Sequence, residues 1–227
     1  LNELPRLYKR IGYAFTDESL VEEALSHRSV GNTNYERLEY LGDSLLNFVI
    51  ADEIHEKHPE LDEGSLSRLR ASLVRGSTLA LIARELELGE FLRMGTGELR
   101  SGGFNRDSTL ADLVESLIGA TYRDSDFFTA RNLILRLFAE RLGNITPAEE
   151  LKDPKTRLQE LLQGRGLERP VYSVVKTEGK SHELAFTVNC QISAYDVNIS
   201  AVASSRRKAE QTAAAEILDR ASVLLPA

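Results

Sequence analysis

One change of hydrophobic period divides this chain of 227 residues. Up to about residue 145 the apolar residues recur at three- and four-residue spacing, the mark of helices with one buried face, and no strand-like alternation competes. Phe15-Thr16-Asp17-Glu18-Ser19-Leu20 has the form of a helix start, with Thr16 as N-cap and Phe15 stapled against Leu20. The spacing predicts helices over about Tyr35–Glu56, ending before Pro59, and from Ser65 past Val74 with a break at Gly76. Two more are expected over Ser108–Arg123 and Phe127–Leu142, while Gly95-Thr96-Gly97 and Ser101-Gly102-Gly103 predict an irregular loop.

Gly143-Asn144-Ile145-Thr146-Pro147, followed by acids, reads as a linker. Beyond it, Lys155–Gly164 is a short helix and Val171–Lys176 a strand. Leu184, Phe186, Val188, Cys190 and Ile192 alternate with Ala185, Thr187, Asn189 and Gln191, as in a strand with one buried face. Val197–Ala203 gives a third strand, and Arg206–Ala221 closes with an alanine-lined helix. The expected organisation is an all-α domain over residues 1–145, a linker over 146–152, and a small α+β domain of order α-β-β-β-α over 153–223.

Charge is divided along the same boundary. Residues 1–145 hold 17 Lys and Arg against 24 Asp and Glu, so they carry the whole net charge of −7; the remainder is balanced at 11 against 11. Acid gathered around a divalent cation need not repel a polyanion, because the ion reverses the local field. No apolar run approaches the roughly 18 residues of a membrane span. The start, Leu1-Asn2-Glu3-Leu4-Pro5-Arg6, lacks a basic-then-apolar pattern, so export is not expected. The single cysteine, Cys190, excludes an internal disulfide framework and suits a reducing, cytoplasmic setting.

The chemistry lies in Glu36-Arg37-Leu38-Glu39-Tyr40-Leu41-Gly42-Asp43-Ser44. On a helix, Glu36, Glu39 and Asp43 fall within about 60° of one another. Two carboxylate charges ~4 Å apart cost about 4 kcal/mol at an effective dielectric near 20. Hard cations relieve that repulsion, and all-oxygen ligands favour magnesium or manganese. A solvated acidic face is the plain alternative. Against it, Leu38, Leu41, Leu45, Leu46 and Phe48 make the helix strongly apolar, and a second pair, Asp112 and Glu115, sits at i,i+3 on another apolar helix. Two apolar helices each presenting acids on a narrow stripe is the pattern of a metal site in a bundle core.

These segments resemble the ribonuclease III family. Glu36 to Ser44 is similar to its signature, and Leu110-Ala111-Asp112-Leu113-Val114-Glu115 to its second catalytic segment. Ala24-Leu25-Ser26-His27-Arg28-Ser29, Gly95-Thr96-Gly97-Glu98 and Gly102-Gly103 also match family segments, and the likeness runs over essentially the whole chain. The resemblance implies a magnesium-dependent endonuclease that cuts double-stranded RNA and processes ribosomal, messenger and transfer RNA precursors. Metal would be held by Glu39, Asp112, Glu115 and Asp43. Asp43 and Glu115 would serve the cleavage step, supported by Glu36 and Glu63, with magnesium or manganese activating water and stabilising the departing 3′ oxygen. Products would carry 5′-phosphate and 3′-hydroxyl ends. Two subunits joined through the nuclease domain would each cut one strand, leaving a two-nucleotide 3′ overhang. Tyr40 departs from the family's phenylalanine, adding a hydroxyl that needs a partner.

The second domain resembles a double-stranded RNA-binding domain. Thr156, Gln159 and Glu160 would reach 2′-hydroxyls in a minor groove, and His182 a second minor groove. Ser205, Arg206, Arg207 and Lys208 would meet phosphates at a helix N-terminus. Plainer roles stand beside several of these. Glu63 precedes a helix, where the dipole alone favours an acid, and His27 suits a hydrogen-bonded structural histidine. Gln159, Glu160 and His182 would be ordinary surface residues outside such a domain. A non-catalytic RNA-binding protein and a small-molecule phosphohydrolase are the competing classes. Retention of Glu39, Asp43, Asp112 and Glu115 together argues against the first, and the C-terminal module against the second.

Overall fold

In a computed structural model, which describes residues 3–145, 152–179 and 183–225, the chain forms two compact units, Leu1–Ala148 and Glu149–Ala227. The first is helical: α1 (Leu4–Ile11), α2 (Glu18–Ala24), α3 (Glu36–Lys57), α4 (Glu63–Val74), α5 (Gly76–Glu85), α6 (Thr96–Arg100), α7 (Asp107–Asp124), α8 (Phe127–Leu137) and α9 (Ala139–Gly143). Helix α7 runs through the middle. Its Leu110, Leu113, Val114, Leu117 and Ile118 are buried, and α3 and α5 pack along it. The long α3 buries Leu38, Leu46, Val49, Ile50 and Ile54 against it. Helix α4 is capped by Asp62, whose carboxylate accepts from the Ser65 amide at 2.8 Å. It gives way to α5 at Arg75, which takes an extended conformation just before Gly76.

Three local expectations are corrected. The cap of α2 is Asp17, not Thr16: its carboxylate accepts from the Ser19 amide at 2.9 Å. The reason lies at the end of α7, where Asp124 accepts from the amides of Thr16 and Asp17 and from the Tyr13 hydroxyl, holding the turn one residue further along. Phe15 finds its ring partners in Tyr13 and Tyr8. The glycine-rich stretch after Met94 is not wholly irregular, since Thr96–Arg100 closes a short helix. The segment expected as one helix over Phe127–Leu142 is two, divided at Phe138, whose side chain is fully buried.

The second unit comprises α10 (Pro154–Gly164), β1 (Val171–Glu178), β2 (Ala185–Ile192), β3 (Val197–Ala203), α11 (Arg206–Asp219) and the short α12 (Ala221–Leu224). The strands form an antiparallel sheet in the order β1-β2-β3. Val188, Cys190 and Ile192 point into the core, following the alternation in the sequence, while Leu184 falls just outside the strand and is partly exposed. Ala213 and Ala214 let α11 lie close on the sheet, with Leu158 and Leu162 of α10 completing the core. No helix among the described residues is long and apolar enough to cross a membrane.

Candidate active site and RNA interface

The two acidic helices cross at a pair of glycines. A Cβ on Gly42 of α3 would lie 1.8 Å from the Glu115 carbonyl oxygen, and one on Gly119 of α7 would lie 2.1 Å from that of Leu38. Backbone therefore meets backbone, which only glycine permits at such range. The crossing brings the side chains one turn away from it together. Oxygens of Glu39, Asp112 and Glu115 all come within 4.8 Å of one another, each side chain half-buried.

The electrostatics follow from that crowding. Burial, with the charges of Asp112, Glu36 and Asp43, pushes the Glu39 carboxyl up to about 7. Burial and the charges of Asp43, Asp112 and Glu39 push Glu115 up to about 8. Asp112 is also raised by burial, against which the Tyr35 hydroxyl, donating to Oδ2 at 3.2 Å, favours the ionised form. Protonation is one way to relieve such a cluster; a hard divalent cation is the other. Three converging carboxylates with no nitrogen or sulfur donor fit a magnesium or manganese ion.

The other expected residues are distributed around this centre. Asp43 lies outside the close group, exposed, with Oδ1 accepting from Asn47 Nδ2 at 2.8 Å. Its charge nonetheless raises both Glu39 and Glu115. Glu36 is exposed and faces Arg28 at 3.8 Å. The Arg28 charge opposes the rise of Glu39, and those of His27 and Arg28 oppose that of Asp112. Glu63 stands apart at the start of α4, accepting from Ser67 Oγ at 2.8 Å. It lines a groove of about 610 Å³ with Phe48, Ala51, Ile54, His55 and Leu66. His27 is buried, with Nδ1 facing Ser29 Oγ at 2.7 Å and accepting from the Ser29 amide, and its ring edge meets Tyr35. Glu98 pairs with Arg106 at 3.1 Å. Tyr35 and Asn47 carry no functional signal of their own in the sequence. A glycine inside an apolar helix marks a close approach, and Gly119 could have been found that way.

In the second unit Ser205 caps α11, accepting from the Lys208 amide at 3.2 Å. Arg206, Arg207 and Lys208 are all exposed around that first turn. Arg206 donates to Glu210, whereas the side chains of Arg207 and Lys208 have no ion-pair partner among the described residues. Thr156 and Gln159 are half-buried on α10; Glu160 is exposed and pairs with Lys152 at 2.7 Å. His182 lies outside the described residues.

A carboxylate cluster at a helix crossing, on a chain that also carries a small α-β-β-β-α unit with a cationic helix start, defines a nuclease fold joined to a double-stranded RNA-binding fold. The Ribonuclease-III-like family profile matches residues 17–142, and that of the double-stranded RNA binding motif matches residues 154–220. Ribonuclease 3 of Proteus mirabilis is 53% identical over 213 residues, which is 94% of each chain. A crystal structure of the ribonuclease III nuclease domain from Campylobacter jejuni shares 36% identity and a TM-score of 0.61, covering 64% of this chain and all of that one. A second structure of that domain, described for structural flexibility in a region involved in dimer formation, shares 38% identity and a TM-score of 0.59 over 60% of this chain and 96% of its own. The chain belongs to the ribonuclease III family, the endoribonucleases of double-stranded RNA.

Proposed function

We propose that this endoribonuclease is magnesium-dependent, with Glu39, Asp112 and Glu115 as the carboxylates that hold the ion and manganese able to substitute. The convergence of their oxygens within 4.8 Å carries this reading. A divalent ion there supplies Lewis-acid stabilisation of charge building on the phosphate and activation of the attacking water. The protein's own groups do the rest. Tyr35 orients Asp112 through its hydroxyl. Asp43, exposed at the rim and held by Asn47, would exchange protons with the reaction, and Glu36, about two turns earlier on α3, would be a supporting acid. Glu115 must release a proton as metal enters, so metal affinity rises with pH up to about 8.

The products are 5′-phosphate and 3′-hydroxyl ends, the setting is cytoplasmic, and precursors of ribosomal, messenger and transfer RNA are the natural substrate class. Residues 1–145 form the catalytic domain. Residues 153–223 form the reader, with Thr156, Gln159, Glu160 and His182 at minor grooves and Ser205, Arg206, Arg207 and Lys208 at phosphates. The working form is a homodimer through the nuclease domain. Tyr40 is 78% and Phe48 58% exposed on α3, and Phe48 lines the groove that Glu63 lines and lies next to Phe127. So much aromatic surface around an open site calls for a subunit to cover it. Each subunit then cuts one strand, leaving a two-nucleotide 3′ overhang.

The deciding experiment incubates the full chain with a long RNA duplex, with and without magnesium, and maps the ends on both strands. Metal-dependent staggered cleavage, abolished in Glu115→Gln while duplex binding persists, is expected. Cleavage of equal rate in excess chelator would refute the metal reading, and nicking by a 25.3 kDa species would refute the dimer.

A further inference from the structure

Glu210 is a carboxylate only 8% exposed, on a helix whose start must meet a polyanion. It is held from two sides. Arg206, one turn earlier on α11, donates through Nε at 2.8 Å, and Lys155, in the first turn of α10, donates through Nζ. The Lys155 ammonium also lies 4.5 Å from the centre of the Tyr172 ring. The next residue continues the link: Gln211 Oε1 accepts from the Lys155 amide at 3.0 Å, and its Nε2 donates to Asp153, the cap of α10, at 2.8 Å. Asp153 in turn accepts from the amide and hydroxyl of Thr156. Two adjacent residues of α11 thus tie its first turns to the first turn of α10.

Stability alone does not account for such a group. An ion pair whose cation keeps much of its side chain in water, as Arg206 (63% exposed) and Lys155 (33%) do, adds little to stability. In a phosphate-facing surface, Glu210 also cancels one of the positive charges that would strengthen binding. Geometry gives it a use. With Nε engaged by Glu210 and the side chain 63% exposed, Arg206 has no partner among the described residues on its two terminal guanidinium nitrogens, which leaves them for a phosphate with their reach fixed. Lys155 is fixed by the same carboxylate. The start of α11 and the face of α10 bearing Thr156 and Gln159 are therefore held at one spacing.

We propose that Glu210 is a positioning residue for duplex RNA, holding Arg206 and Lys155 so that α10 and α11 present their contacts at the spacing of an A-form helix. This rests on the assignment of Arg206–Lys208 and α10 to the RNA interface. Charge and positioning predict opposite signs. Glu210→Gln adds a positive unit of net charge, so electrostatics alone would tighten binding to any duplex. Positioning requires binding to RNA to weaken and binding to DNA to stay level or tighten.

The test measures affinity of the full chain, in chelator to prevent cleavage, for RNA and DNA duplexes of one sequence, with thermal melting alongside. Glu210→Gln is expected to weaken RNA binding about three- to tenfold, the size of one charge-assisted hydrogen bond to phosphate. The RNA-over-DNA preference falls by at least that factor. Arg206→Lys, exposed and charge-conserving, should weaken RNA binding by a similar factor, and the double variant by no more than either single one. Parallel tightening on RNA and DNA by Glu210→Gln would overturn the proposal, as would additive weakening in the double variant. Should Glu210→Gln fail to fold, an Arg206→Lys variant binding RNA like the parent overturns it too. Replacing Arg206, Arg207 and Lys208 together by alanine without effect would instead remove the interface assignment itself.

Discussion

Gly119→Ala tests whether the glycine crossing builds the active site. The added methyl carbon would stand 2.1 Å from the Leu38 carbonyl oxygen, 2.9 Å from its carbon and 3.2 Å from the Gly42 nitrogen. An ordinary carbon–oxygen approach is about 3.3 Å, so the helices must part by roughly 1 Å. No side-chain rotamer can relieve it, because all three atoms are backbone of helix α3. Alanine gains about 1 kcal/mol of helix propensity over glycine. Overpacking costs about 1–3 kcal/mol, and more where nothing can move. The net is a loss of about 2 kcal/mol, or a fall of roughly 5 °C in the melting of the nuclease unit. The functional loss should be larger. Parting α3 from α7 carries Glu39 away from Asp112 and Glu115, and a misplacement of about 1 Å can cost on the order of a hundredfold in rate. Calorimetry with and without magnesium, alongside duplex cleavage, reads both effects. The variant should lose most of its magnesium-induced rise in melting temperature. Gly97→Ala, with open space around its Cβ, is the matched control and should be neutral. A Gly119→Ala protein that melts and cleaves like the parent would refute the role given to the crossing.

Glu115→Gln removes a partly buried charge from among like charges, so without metal at pH 8 it should melt several degrees above the parent and gain little from magnesium. A variant that melts lower in chelator would contradict the repulsion assigned to the cluster. The same groups set a pH dependence. With Glu115 raised to about 8 and Glu39 to about 7, against roughly 4.3 in the unfolded chain, the folded state holds protons the unfolded one has released. Their contribution is full below about pH 4 and is lost as pH rises through 7 to 8. It should show as a difference in pH slope between the parent and Glu115→Gln in urea unfolding under chelation. Equal slopes would remove it. Calcium at matched ionic strength should tighten the full chain's grip on an RNA duplex, although divalent ions ordinarily compete with such binding. Weakening by calcium would show that the acidic crossing does not turn cation-bearing toward the substrate.

The division of the chain, the helical first unit and the α-β-β-β-α second one were legible because each rests on a long periodic signal. Val188, Cys190 and Ile192 are buried as their alternation requires, and α3 and α7 end within a residue or two of where their patterns stop. The carboxylates of the close group were legible too, since charge on an otherwise apolar helix is conspicuous. What escaped depends on neighbours distant in sequence. The cap at Asp17 follows from Asp124, 107 residues away, and the Tyr35–Asp112 bond spans 77. Gly42 and Gly119 are explicable only as a pair, because each is shaped by the other's helix. Arg206 looks like a free cation in a basic run, and its tie to Glu210 emerges only when the i,i+4 carboxylate proves buried.

The charge division then acquires a structural sense. Part of the acid of residues 1–145 is gathered rather than spread: Glu36, Glu39, Asp43, Asp112 and Glu115 interact around one crossing, with Arg28 among the charges opposing them. Such a centre repels a phosphate backbone until a divalent ion sits in it, whereas Arg207 and Lys208 attract one unaided. On the proposed assignment, capture of the duplex precedes catalytic engagement, and the net charge of −7 is compatible with an RNA substrate because its sources and the proposed phosphate contacts lie in different units.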